Sequence, residues 1–185
     1  PLPTFNLGPD TTLCAGNSID LSAAVPGASY TWSVGSAAST INVSTSGLYW
    51  AEADLNGCTD RDTILVSFTP LPVADLGNDT TLCQGETLAL NAAVPGGSYL
   101  WNDGVTTASR NITSAGNFAV TVTAQGCSSS DQINVTVNPV PTCNLGSDTT
   151  LCVGNSINLS AAVPGASYMW SVGSAASTIN VSTSG

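Results

Sequence analysis

The sequence predicts an all-β chain of antiparallel β-sandwiches repeated in tandem every ~69 residues. Three observations carry this. The string Asp-Thr-Thr-Leu-Cys recurs at Asp10, Asp79 and Asp148, two equal intervals along the chain. Apolar residues alternate with polar ones along short runs, the period-two pattern of a strand with one face buried. Turn residues punctuate those runs at close intervals, and no stretch keeps a helical period.

The repeat comes first. Residues 7–47 and 145–185 differ at four positions, namely Pro9/Ser147, Ala15/Val153, Asp20/Asn158 and Thr31/Met169. The middle copy, 76–116, matches the first at 20 of 41 positions without insertion or deletion. The order is therefore A, B, A′, with a larger period of two units, the step from Asp10 to Asp148. Fixed-period similarity marks an array of modules, and each unit is long enough for a small closed domain. The expected units are 1–72, 73–141 and 142–185, the last holding the N-terminal part of a third. The chain begins without methionine and stops in mid-pattern, so the expectation is a piece of a longer polypeptide. No secretory leader and no long apolar run is visible in it.

The strands follow from alternation. Ile19 and Leu21 share a face, as do Tyr30, Trp32 and Val34, then Ile41 and Val43, then Ile64, Val66 and Phe68. The second unit repeats the pattern with Leu88 and Leu90, Tyr99 and Trp101, Phe118, Val120 and Val122, and Ile133, Val135 and Val137. Pro26-Gly27, Gly35-Ser36, Ser46-Gly47 and Asn56-Gly57 are the turns between strands. The joints TPLPVADLG and NPVPTCNLG carry paired prolines and read as short, stiff, extended connectors.

The interval from Cys14 to Cys58 equals that from Cys83 to Cys127. This spacing predicts one disulfide inside each unit, Cys14 with Cys58 and Cys83 with Cys127, and a partner for Cys152 near position 196, outside the sequence. Such a staple is worth about 4 kcal/mol in the chain-entropy model, which matters to a domain with so small a core. The alternative, a zinc site, needs closely paired ligands; the spacing lacks them and histidine is absent. Disulfides place the chain outside the reducing cytosol, hence extracellular. Cys143 stands where the other units have Phe5 and Ala74. Three readings stay open for it: a buried or reduced thiol, a bond to another chain, or a partner outside the fragment. The Cys–Trp–Cys order is that of immunoglobulin domains, but the tyrosine expected two residues before the second cysteine is Asn56 or Gln125 here. The sandwich is immunoglobulin-like without being a true immunoglobulin domain.

Charge and residue types exclude several functions. There is no lysine and no histidine, only Arg61 and Arg110 are basic, and the net charge is −10. Such a surface repels nucleic acid and anionic lipid, so neither nucleic-acid binding nor membrane insertion is expected. A hydrolase triad needs a histidine or lysine base. A carboxylate pair could hydrolyse glycosides, but Asp54, Asp60 and Asp103 do not recur between units. No catalytic residue and no required cofactor or metal is assigned. Calcium is the one alternative, through Asp54, Asp60 and Asp62 with Asp10 or Asp75 nearby, although EF-hand spacing is missing. The persistent Asp of LGxD is expected to bond backbone amides within its own turn. Lys–Asn isopeptide bonds are impossible without lysine.

Alternation also turns some large residues outward. Position 31 holds Thr31, Leu100 and Met169 in the three units, and Trp50 points opposite to Tyr49. These four positions are the candidate lateral interface between chains, or else a face that another part of the same chain covers.

The composite pattern LGxDTTLCxG…YxWxxG…TSGxYxVxVT…GCxxSDxIxV resembles the immunoglobulin-like or PKD-like repeats of very large surface proteins of Bacteroidota. The resemblance implies type IX secretion, a cell-surface location, and service as a gliding adhesin, surface fibre or hook-bearing filament that grips other cells through regions outside this fragment. It also implies O-glycans at Asp-Ser/Thr sites, which here are Thr11, Thr63, Thr80 and Thr149. The expected function is thus the shaft of a self-associating extracellular fibre. The alternative is a carbohydrate- or protein-binding module of a secreted protein.

Overall fold

Two tight turns decide where the longest strands fold back. Asn56 and Gly57 both take positive φ, 55° and 81°, and Gln125 and Gly126 repeat this at 52° and 80°. Two consecutive left-handed residues make the turn whose twist matches that of a hairpin. Gly tolerates this freely and Asn well, while Gln is the less usual occupant.

The computed structural model describes residues 3–183. The first unit holds β1 (Thr11–Cys14), β2 (Ile19–Ser22), β3 (Ser29–Trp32), β4 (Thr40–Val43), β5 (Gly47–Leu55) and β6 (Cys58–Thr69). The second repeats it as β7 (Thr80–Cys83), β8 (Leu88–Asn91), β9 (Ser98–Trp101), β10 (Ser109–Ile112), β11 (Gly116–Ala124) and β12 (Cys127–Asn138). In each unit a four-stranded sheet, ordered β1-β6-β5-β3 or β7-β12-β11-β9, faces a two-stranded one, β2-β4 or β8-β10. This is the expected all-β sandwich, with one addition: β1 runs parallel to β6, and β7 parallel to β12. All other pairings are antiparallel.

The first and second units each have their own core. Leu21, Trp32, Val43, Tyr49, Ala51, Ile64 and Val66 form one cluster, and Leu90, Trp101, Ile112, Val120, Val122, Ile133 and Val135 the other. The alternation read from sequence predicts these inward faces because strand side chains point to opposite sides in turn. Val34 departs from it: β3 ends at Trp32, so Val34 lies in the turn and is exposed. The buried tryptophans stay hydrogen-bonded, Trp32 Nε1 donating to the Ala38 carbonyl at 2.7 Å and Trp101 Nε1 to Thr107 at 2.8 Å. Tyr30 and Tyr99 close the turns before them, each accepting from and donating to one backbone residue, Val25 or Val94.

The immunoglobulin comparison becomes concrete here. The tyrosine missing before Cys58 is present one strand earlier. Tyr49 on β5 donates its hydroxyl to the Thr45 carbonyl at 2.8 Å, the corner bond of that architecture. Two residues on, buried Ala51 stands where such a domain has its second cysteine, in one cluster with Leu21 and Trp32. Apolar packing replaces the inter-sheet disulfide. In the third unit, the described residues reach β13 (Ile157–Ser160) and β14 (Thr178–Val181), which pair with each other. They do not include counterparts of β5 and β6, and none of residues 142–183 is buried.

Candidate inter-unit lock and outer face

The cysteine pairing differs from the sequence expectation. Cys14 is bonded to Cys127 of the second unit, 113 residues away, with 5.6 Å between their Cα atoms. Cys58, Cys83, Cys143 and Cys152 are free and exposed. The pairs Cys14–Cys58 and Cys83–Cys127 are therefore corrected, and strand register supplies the reason. Cys14 lies beside Thr69, at the far end of β6 from Cys58. Eleven residues of strand at about 3.3 Å each put them roughly 36 Å apart, whereas disulfide-bonded Cα atoms lie within about 7 Å. Cys83 lies beside Asn138 and is separated from Cys127 in the same way.

Parallel pairing thus places the first-strand cysteine at the bottom of its unit and the last-strand cysteine at the top. The bottom of unit one meets the top of unit two. There the Cys14 sulfur sits 3.8 Å from the Gly126 carbonyl oxygen, and Cys127 is buried. Ser129 Oγ also donates to the Pro72 carbonyl at 2.5 Å, tying the start of β12 to the proline joint. Because each unit already has a core, the bond constrains the joint between units more than either interior. Cys143 is free in the third unit, at a position whose counterparts Phe5 and Ala74 pack on cores.

The recurring aspartates hold distant backbone. Asp10 accepts from the Leu65 amide at 2.9 Å, and Asp79 from the Asn134 amide at 2.9 Å. This corrects the expected local turn: the partner is 55 residues away, so the carboxylate clamps the first strand to the last. Asp62 and Asp131 likewise accept from the Leu7 and Leu76 amides, at 2.8 and 2.6 Å. Asp54 takes the Gly57 amide and Asp75 the Gly77 amide. Among the described residues no group of three or more acidic, histidine or cysteine side chains converges. Of the four threonines proposed as glycan sites, Thr11 and Thr80 open β1 and β7, Thr63 lies on β6, and Thr149 lies in a segment without strand structure. Thr63 and Thr149 are exposed, Thr11 and Thr80 partly so. The Thr11 hydroxyl donates to the Pro9 carbonyl and that of Thr149 to Ser147.

Of the candidate interface, Thr31, Leu100 and Met169 are exposed, the last two at 56% and 94%. Trp50 lies on the outer face of the four-stranded sheet, but the Arg61 guanidinium covers it at 3.8 Å from the ring centroid. The sequence reading missed Leu48 and Leu65, cross-strand partners on that same face, 64% and 43% exposed. The inward set Ile64, Val66 and Phe68 carries the signal for Leu65, since its neighbours on the strand must point outward.

Neither a protein-family model nor a curated protein matches the chain. Solved structures similar to it are tandems of immunoglobulin domains. The insect immune protein hemolin shares 14% identity at a TM-score of 0.48, over 75% of this chain and 47% of its own. Extracellular domains 3–5 of Drosophila OTK share 12% at 0.45, over 70% of this chain and 59% of theirs. The N-terminal eight domains of Down Syndrome Cell Adhesion Molecule share 17% at 0.42, over 86% of this chain and 31% of theirs. The chain thus spans about half the length of the first of these neighbours, and less than two thirds of each. Among the described residues no helix is long and apolar enough to cross a membrane.

Proposed function

We propose that this chain is a shaft segment of an extracellular fibre or surface adhesin, in which the units transmit pull and set distance while contact with a target is made elsewhere. The observation that carries the reading is the covalent bond between successive units, Cys14 to Cys127. A binding module has no need to bond its neighbour, whereas a thread that must stay straight does. The repeat without insertions and the proline joints support it. Self-association would use the outer face around Leu48, Leu65 and Trp50, where apolar side chains stand on neighbouring strands.

The finer assignment is a type IX-secreted surface filament of Bacteroidota, several chains thick and O-glycosylated at Thr11, Thr63, Thr80 and Thr149. It rests on the sequence resemblance. Electron microscopy of the native polypeptide tests the reading: straight fibres with a repeating axial unit are expected. Compact, separately tumbling domains on slack tethers would refute it. Dispersed single threads would remove the multi-chain version, and unmodified peptides spanning Thr11 the glycan.

A further inference from the structure

The bonded pair has two unbonded replicas in the same structure. Cys83 ends β7 as Cys14 ends β1, and the next residue, Gln84, donates its amide to the Asn138 carbonyl at 2.8 Å as Ala15 does to Thr69. Cys58 opens β6 as Cys127 opens β12, after a two-residue turn with the same pair of positive φ angles. The backbone framing of the bonded cysteines is thus reproduced at the free ones. Cys83 is exposed at the bottom of unit two and Cys58 at the top of unit one. Neither reaches the other cysteine of its own unit, by the strand-length argument above.

We propose that Cys83 and Cys58 are open halves of this same lock, each bonding a neighbouring unit. The cysteine ending a unit's first strand joins the cysteine opening the last strand of the unit that follows. The proposal rests on the array reading. Successive bonds then overlap, each spanning one joint. Formation is an oxidation: one thiolate attacks a disulfide oxidant, small molecule or dithiol oxidoreductase, and forms a mixed disulfide. The second thiolate displaces it. Two thiols lose two protons and two electrons, and the oxidant leaves as two thiols.

The test extends the full chain beyond Gly185 with a copy of its own residues 48–72. The third unit differs from the first at only four positions over 145–185, so it should accept that hairpin. After refolding in a glutathione redox buffer, free thiols are alkylated and peptides mapped without reductant. Expected are Cys14 joined to Cys127 and Cys83 joined to the added cysteine, with Cys58 and Cys152 alkylated. Cys83→Ser should restore alkylation of the added cysteine, and Cys152→Ser should change nothing. The proposal is overturned if the added cysteine joins Cys152, or if it is alkylated together with Cys83 while Cys14–Cys127 is intact. Absence of Cys14–Cys127 from the unextended chain overturns it as well. Straight chains of beads by microscopy without the Cys83 bond would leave the fibre reading standing and remove only the lock.

Discussion

Units one and two have equivalent but separate cores and differ most on the outer sheet. Leu48, Leu65, Trp50 and Thr63 on the outer sheet of the first unit become Asn117, Asn134, Ala119 and Gln132 in the second. The arginines also move. Arg61 covers Trp50 outside the first sandwich, whereas Arg110 lies 5.1 Å from the Trp101 ring centroid, paired with Asp103, where the first unit has Ile41 and Val34. The difference teaches that two kinds of constraint act separately. The most deeply buried positions stay apolar in both units, while the outer-sheet positions differ, apolar in the first unit and polar in the second. The apolar flank proposed above for lateral contact is therefore on the first unit, with Leu48, Trp50 and Leu65.

The largest test of this equivalence is in the core. Trp32→Ala and Trp101→Ala should each cost about 3–5 kcal/mol, and by the same amount, because both rings are about 1% exposed and bond one carbonyl. Unequal denaturation midpoints for the two units would break the comparison. Next come Asp62→Ala and Asp131→Ala, each leaving a buried leucine amide unpaired at a cost of roughly 1–3 kcal/mol. Loss of hydrogen-exchange protection at Leu7 or Leu76 reads this directly. Tyr49→Phe should lower stability by about 1 kcal/mol through the lost corner bond; Phe118→Tyr, adding the hydroxyl to the second unit, sharpens the contrast by costing nothing.

The smallest effect is electrostatic. The bidentate hydrogen bond from Arg110 holds the Asp103 carboxyl below its ordinary value. A depressed acid contributes stability above its unfolded pKa, about 3.9, and loses it as pH falls through the lower folded value. The Val105 amide, which contacts this carboxylate, should report that titration by NMR. Arg110→Gln should move the transition upward. The first unit, with Val34 and Ile41 there, has no matching step.

Much of this was legible. The period, the strands and the inward faces follow from alternation and turn residues, because local geometry alone sets which side a strand residue takes. The disulfide did not follow, for a specific reason. Shifting one partner by a full period moves the bond of Cys14 from Cys58 to Cys127 and preserves the regularity across the array, so spacing cannot tell bonds within units from bonds between them. The parallel run of β1 along β6 decides it, and parallel pairing leaves no mark at Thr11–Cys14 that an antiparallel strand would lack. The partners of Asp10 and Asp62 were hidden likewise, since each amide lies 55 residues away.

The sulfur bridge sits at the two ends of a closed loop, and that governs extension. Tension applied to the chain termini enters at Cys14 and leaves at Cys127 without passing through the residues between. At about 3.5 Å per residue, some 400 Å of contour length is withheld, including the hairpin of the first unit and most of both cores. In a pulling experiment this length should stay hidden until a reductant is added, then appear in steps as each sandwich opens.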